Sequence, residues 1–319
     1  MHAGPPSDRP EVSTAHRKLL WVATGVTFLL VLMGGIVCIT GAARACPDWP
    51  GCYGRVVPPP RVDAVTEYVH RLLALGGASL IAAAAVLGWV KYRHLRWISV
   101  PPSIAIALVF AVATFGAMAV LYGLAPPLAT VDLGMALWVL ALMVATSLSG
   151  AQGGRSLRFS AFYSGSFGKL TLCTFVAVFS VLVTGPMVEV NGPLLNCLAW
   201  PLYAERSAAA SGLGAARYFV ADFAAFCIAV LVIHAWRTKR GAPALLRTSN
   251  IVAALLGALF ALSAFIGPAS QPLPGFIYIG LTVGLWTALV ALVMLAALAS
   301  EPDVGGASSV QDALGAFRT

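Results

Sequence analysis

Residues 19–43 read LLWVATGVTFLLVLMGGIVCITGAA and carry no charged side chain. A helix that crosses the hydrocarbon core of a bilayer needs about 20 mostly apolar residues, so this stretch predicts a transmembrane helix. The rest of the chain has the same character, because 59% of the 319 residues are hydrophobic, only 10% are charged, and the mean hydropathy is +0.87. This composition excludes a soluble domain and predicts an integral membrane protein.

Further apolar runs follow, separated by charged or proline-rich segments, and they predict an all-α protein with eight transmembrane helices. After 19–43, the predicted helices are 64–90, two within 97–150, 170–188, 215–236 and two within 248–300. The predicted domains are an N-terminal tail (1–18), an N-terminal four-helix bundle (19–150), a linker (151–169), a C-terminal four-helix bundle (170–299) and a C-terminal tail (300–319).

The lysines and arginines predict the orientation in the membrane. Most of the 20 lie in segments on the same side as both termini, and cytoplasmic loops are the ones enriched in these residues. We therefore expect a multi-pass protein of a bacterial plasma membrane with both termini in the cytoplasm and the first loop, 44–63, on the oxidising outside. The net charge of +8 is explained by those cytoplasmic segments, so nucleic-acid binding is not expected.

The two halves of the chain resemble each other. Cys-Pro-Asp-Trp-Pro at 46–50 recurs as Cys-Leu-Ala-Trp-Pro at 197–201, and Val-Asp-Leu-Gly at 131–134 recurs as Ile-Tyr-Ile-Gly at 277–280. Both matches fall in the same order between the same predicted helices. We expect a duplicated four-helix unit, and since four is even, two pseudo-symmetric bundles in parallel orientation.

The chain has six cysteines. Cys46 and Cys52 lie close together in the oxidising loop, so we expect a structural disulfide between them. The alternative is that the two cysteines form a redox-active pair. Cys197 lacks a second cysteine, because Tyr203 stands where it would be. The three others, expected to be small apolar fillers within helices, are Cys38, Cys173 and Cys227.

Ionisable side chains gather at the outer end of the second helix. Glu67 and His70 are three residues apart and share a helix face, and burying such groups unpaired near a membrane is costly. Either both are solvated at the headgroup level, or His70 is an axial haem ligand with Glu67 as a nearby acid or base. Arg71 would then meet a haem propionate or Asp132, which lies at a similar depth in the fourth helix.

These motifs resemble the haem A synthase family. The resemblance covers the eight-helix layout, and its specific motifs are Gly-Gly-Ile-Val…Thr-Gly at 34–41, Cys-Pro-Asp-Trp-Pro-x-Cys-x-Gly at 46–54 and Glu-Tyr-x-His-Arg at 67–71. It implies oxidation of the C8 methyl group of haem O to the formyl group of haem A, for cytochrome oxidase. It also implies Glu67 as a catalytic residue, His70 as an iron ligand, and haem O synthase and oxidase subunits as partners beside the lipid bilayer.

The family pattern has four histidine ligands, two for the substrate haem in the N-terminal half and two for a haem b in the C-terminal half. Here Asp132 and Tyr278 occupy the helix-four and helix-eight positions, and 217–222 supplies no histidine in helix six. A haem in the N-terminal bundle is therefore expected, whereas a second haem b is not supported. The alternative function is a non-catalytic relative that serves as assembly factor or accessory subunit of a respiratory oxidase.

Overall fold

The computed structural model describes residues 12–154, 162, 164–188, 197–202, 212–266 and 272–299. Eight helices in this part are long and apolar enough to cross a membrane, which confirms the predicted all-α, multi-pass architecture. They are α1 (Thr14–Ile39), α2 (Val62–Tyr92), α3 (Arg96–Tyr122), α4 (Pro126–Ala151), α5 (Ser166–Val183), α6 (Gly212–Thr238), α7 (Pro243–Ser263) and α8 (Pro272–Ala299). The predicted tail at 300–319 and residues 1–11 of the other tail lie outside the described residues.

The first helix begins and ends earlier than its apolar run predicts. Ser13 caps α1, because its side chain accepts a hydrogen bond from the His16 amide, and the charged Arg17 and Lys18 therefore lie within the helix. At the other end Gly41 has a left-handed φ of 67°. A conformation of that kind ends a helix, so α1 stops at Ile39 and not at Ala43.

Each half of the chain forms its own ring of four helices. In the first half α1 contacts α2 and α4, and α3 contacts the same two helices; α5 to α8 repeat this arrangement in the second half. The halves meet where α1 and α4 pack on α8 and where α4 packs on α5. Within this joint the fully buried Trp286 donates its indole N–H to the carbonyl oxygen of Leu137 at 3.1 Å.

A disulfide between Cys38 and Cys197 also joins the halves, with an S–S distance of 2.00 Å and a sequence separation of 159 residues. The interpretation of Cys38 as an apolar filler and of Cys197 as a cysteine without a partner was therefore wrong. Cys38 lies in the last turn of α1, and its sulfur is bonded to the first residue of the motif at 197–201. Cys173 and Cys227 remain free thiols.

Candidate functional site

The segment between α1 and α2 is closed by its own disulfide. Cys46 and Cys52 are bonded at 2.09 Å, and neither is exposed. They pack with Ala64 and Tyr68 at the start of α2. The side of the membrane on which this segment lies is called the loop side below.

Asp48 organises the turn inside the disulfide ring. Its carboxylate accepts hydrogen bonds from the backbone amides of Tyr53 at 2.5 Å and Gly54 at 2.7 Å. Both of these residues have positive φ angles, 58° and 64°, which the carboxylate stabilises by binding their N–H groups. The amides of Gly54 and Tyr53, together with the nearby Arg71 guanidinium, hold the pKa of Asp48 below its usual value.

Arg71 fastens this segment to α2. One terminal nitrogen of its guanidinium donates to the carbonyl oxygens of Asp48 at 2.8 Å and Gly51, and the other lies 3.4 Å from that of Cys46. The remaining nitrogen, Nε, pairs with the Glu67 carboxylate at 2.9 Å. Both side chains of the pair are largely buried, with 12% and 6% of their surface exposed.

In this arrangement Arg71 pairs with Glu67 and not with Asp132, which was one of the two partners expected from the sequence, the other being a haem propionate. The donors of Arg71 are engaged by Glu67 and by the carbonyl groups of the disulfide segment, and the Oδ1 atom of Asp132 is buried without a hydrogen-bond partner among the described residues. A guanidinium has five N–H groups in a planar fork. It is therefore suited to gather several carbonyl oxygens of a turn, which a sequence motif does not reveal.

His70 lies on α2 about two turns from the loop-side start of that helix. Its Nδ1 atom is buried and has no partner among the described residues. Gly34 of α1 makes room for the ring, since a Cβ atom there would lie 3.4 Å from its Cε1. Buried polar atoms are normally hydrogen-bonded, so an unpartnered imidazole nitrogen indicates a place for a ligand.

Near the loop-side start of α4, Thr130 Oγ1 and Asp132 Oδ1 are likewise buried without a hydrogen-bond partner among the described residues. At 1.5 Å per residue, His70, Asp132 and Tyr278 all lie about 9 to 12 Å from the loop-side start of their helices. Tyr278 is fully buried on α8, and its neighbour Ile279 packs against Gly35 of α1. These side chains therefore share one level of the molecule.

Comparison with known proteins identifies the group of proteins with this arrangement. Residues 17–299 match the family model COX15-CtaA, described as cytochrome oxidase assembly protein. The chain belongs to the COX15-CtaA family. It is 26% identical over 188 residues to the haem A synthase of Alkalihalophilus pseudofirmus and 25% identical over 188 residues to that of Halalkalibacterium halodurans. Each alignment covers 58% of this chain and 63% of the relative. A shorter match, 32% over 123 residues, relates 38% of the chain to 40% of a haem A synthase of Bacillus cereus.

For a COX15-CtaA protein, the N-terminal half offers a donor set that fits a haem. His70 presents an imidazole whose Nδ1 binds nothing in the described protein, and Asp132 and Thr130 add polar atoms without partners. A haem iron requires at least one good axial donor, and an imidazole is a common one. These residues would therefore fit a haem whose iron is held by one histidine.

The C-terminal half does not fit a haem held by two histidines. Residues 217–222 of α6, where the family pattern places a ligand, contain no histidine. Arg217 is buried and donates to the carbonyl oxygens of Val181 at 3.1 Å and Ala199 at 2.8 Å. The only histidine within α5 to α8 is His234, which stacks on Phe167 near the far end of α6.

Arg217 is the residue that sequence reasoning missed. Like Arg71, it ties the carbonyl groups of a loop-side segment to the second helix of its half. Gly185 leaves space for this contact, because a Cβ atom there would lie 2.5 Å from the carbonyl oxygen of Cys197 and 3.3 Å from Nη2 of Arg217. The signal in the sequence was an arginine near the loop-side start of α6, as Arg71 is near that of α2.

Proposed function

We propose that this protein is a haem A synthase-type oxidoreductase that converts the C8 methyl group of haem O to the formyl group of haem A for cytochrome oxidase. The buried, unpartnered Nδ1 of His70, beside the Glu67–Arg71 ion pair, carries the proposal in a chain of this family. Haem O would be the substrate, held in the N-terminal bundle. Haem O synthase and oxidase subunits would be the partners that deliver it and receive the product.

In this proposal His70 holds the iron of the substrate haem and Glu67 receives protons from the reacting methyl carbon. With water as the source of the oxygen atom, oxidation of a methyl to a formyl group releases four protons and four electrons. The electrons must pass to an electron acceptor outside this protein, and Glu67 would be the base that takes up protons. Arg71 pairs with Glu67 at 2.9 Å and holds this carboxyl group in place, so Arg71 is a positioning residue. Asp132 would lie on the side of the haem opposite His70.

The test is haem content and haem A production in a host strain that lacks its own haem A synthase and supplies haem O. Purified wild-type protein should give a pyridine haemochrome spectrum, and its host should make haem A. His70→Ala should abolish both, because no other histidine of α1 to α4 lies on the loop side.

Tyr278→Phe is the matched control, since it removes one hydroxyl group at the same level and keeps the buried ring. It should retain haem and haem A production. Full haem retention by His70→Ala would refute the ligand assignment, and unchanged haem A formation would refute the catalytic site at Glu67 and His70.

A second candidate is a non-catalytic assembly factor or accessory subunit of a respiratory oxidase. The observation that favours it is the C-terminal half, where Arg217 donates to carbonyl groups and residues 217–222 contain no histidine. A purified wild-type protein without haem, whose deletion lowers oxidase assembly but not haem A content, would establish this function instead.

A further inference from the structure

A small cavity lies at the opposite end of the N-terminal bundle from the loop side, between the start of α1 and the end of α2. Its volume is about 120 Å³. The residues that line it are Ser13, Ala15, His16, Leu19, Leu87, Lys91 and Tyr92. None of these belongs to the site proposed above.

His16 is the feature that indicates a ligand. Its side chain is only 4% exposed, and both ring nitrogens are buried without a hydrogen-bond partner among the described residues. The ring packs on Tyr92 with a centroid distance of 4.9 Å. Since buried polar atoms are normally satisfied, an imidazole with neither nitrogen bonded, beside a cavity, lacks a partner that the cavity can hold.

The polar groups around His16 are arranged as donors. The Ser13 hydroxyl accepts from the His16 amide at 3.3 Å, and the Tyr92 hydroxyl accepts from the Ser13 amide at 3.1 Å, so the proton of each hydroxyl is left to donate. Lys91 adds an ammonium group, and the N-terminus of α1 adds its partial positive charge. Among the described residues that line the cavity none is acidic, so the cavity is suited to an oxyanion.

We propose that this cavity binds a phosphate group, either in the headgroup of an anionic phospholipid or as inorganic phosphate. Its volume exceeds the roughly 30 Å³ that one water occupies in the liquid. The tetrahedral oxygens would accept from Lys91, from the Tyr92 and Ser13 hydroxyls and from one nitrogen of His16. Leu19 and Leu87 border the cavity and would contact the glycerol carbons of a lipid.

The test is a titration of the full-length protein in a neutral detergent. The probes are dihexanoylphosphatidylglycerol below its micelle concentration, inorganic phosphate, and chloride at equal ionic strength, and the readout is the midpoint of thermal unfolding. A ligand that binds the folded protein raises this midpoint saturably. A response to phosphatidylglycerol alone identifies a lipid headgroup as the ligand, and a response to both phosphate compounds identifies the phosphate group itself.

The variants are Lys91→Gln and Tyr92→Phe, with Arg93→Gln as the matched control, because Arg93 carries the same charge at the end of α2 but does not line the cavity. Lys91→Gln should weaken phosphate binding about tenfold, as expected for the loss of one charge-assisted hydrogen bond, and Arg93→Gln should leave it unchanged. The proposal is overturned if neither phosphate probe saturates, if chloride acts equally, or if Arg93→Gln weakens binding as much as Lys91→Gln.

Discussion

Arg71 shows how much of the loop side depends on one side chain. It pairs with a buried carboxylate on its own helix, and it binds backbone carbonyl groups that lie 20 and 23 residues earlier in the chain. The disulfide between Cys46 and Cys52 closes the segment, and the hydrogen bonds of Arg71 connect that closed segment to α2 in addition to the packing of the two cysteines on Ala64 and Tyr68. A lysine with one ammonium group cannot contact these acceptors in a planar fork.

Replacing Arg71 by Met should loosen the segment and leave Glu67 as an unpaired buried charge, at a cost on the order of 3 kcal/mol. The expected result is faster reduction of the Cys46–Cys52 bond by a mild thiol, measured as the rate at which these cysteines become available to a maleimide reagent.

Arg61→Met is the control. Arg61 also pairs with a carboxylate, Asp63, at 2.6 Å, but 59% of its side chain is exposed, and such surface pairs contribute about 0–1 kcal/mol. Equal reduction rates in the two variants would show that Arg71 does not hold the segment.

At the scale of elements, α1 contacts both the candidate site and the second half. Gly34 accommodates His70 of α2, whereas Gly35 accommodates Ile279 of α8. Small residues let transmembrane helices approach closely, because without a side chain the backbones themselves come into contact. The adjacent glycines therefore allow α1 to pack on the candidate site with one face and on the second bundle with another.

Gly35→Ala should destabilise the protein by about 1–3 kcal/mol, the usual cost of overpacking. The new Cβ atom would lie 2.5 Å from Cγ2 of Ile279, and this methyl group cannot move away independently because it is bonded directly to the Cβ atom of a packed residue. The measurement is the thermal unfolding midpoint in detergent.

Gly25→Ala is the matched control in the same helix, since nothing lies within 4 Å of its new Cβ atom. Its unfolding midpoint should equal that of the wild type or exceed it slightly. An equal loss of stability in the two variants would mean that the contact between α1 and α8 is not tight.

At the scale of the whole molecule, the two rings of helices share details beyond their layout. Trp89 donates to Ser103 at 2.6 Å, and Trp236 donates to Asn250 at 2.9 Å; in both pairs the acceptor lies 14 residues after the tryptophan. Both pairs connect the second and third helices of their half. They support our proposal that the halves are copies of one unit related by pseudo-symmetry.

The Cys38–Cys197 disulfide is a covalent bond between these halves. If a protease site is introduced in the linker at 155–161 and cut, the two fragments should migrate together on a denaturing gel until a reductant is added. Cys38→Ser should separate them without reductant, whereas Cys173→Ser, which removes a free thiol, should not. Separation of the wild-type fragments before reduction would contradict the bond.

Hydropathy and helix breakers, read from the sequence alone, were enough to predict the class of protein and its eight helices. These signals are local, since each depends on about 20 neighbouring residues. The local signals did less well at helix ends, as α1 shows, because the Ser13 cap and the left-handed Gly41 decide the ends independently of apolarity.

Contacts between distant residues were decided only by the tertiary structure. Cys38 is bonded to Cys197 because α1 packs against the second half. Arg71 binds the disulfide segment and not Asp132, because carbonyl groups of the turn lie within hydrogen-bond distance of its donors. The sequence shows Arg217 within the predicted sixth helix, but not its hydrogen bonds to the carbonyl oxygens of Val181 and Ala199. Spacing along a chain limits which residues share a face, whereas the packing of helices determines which faces meet.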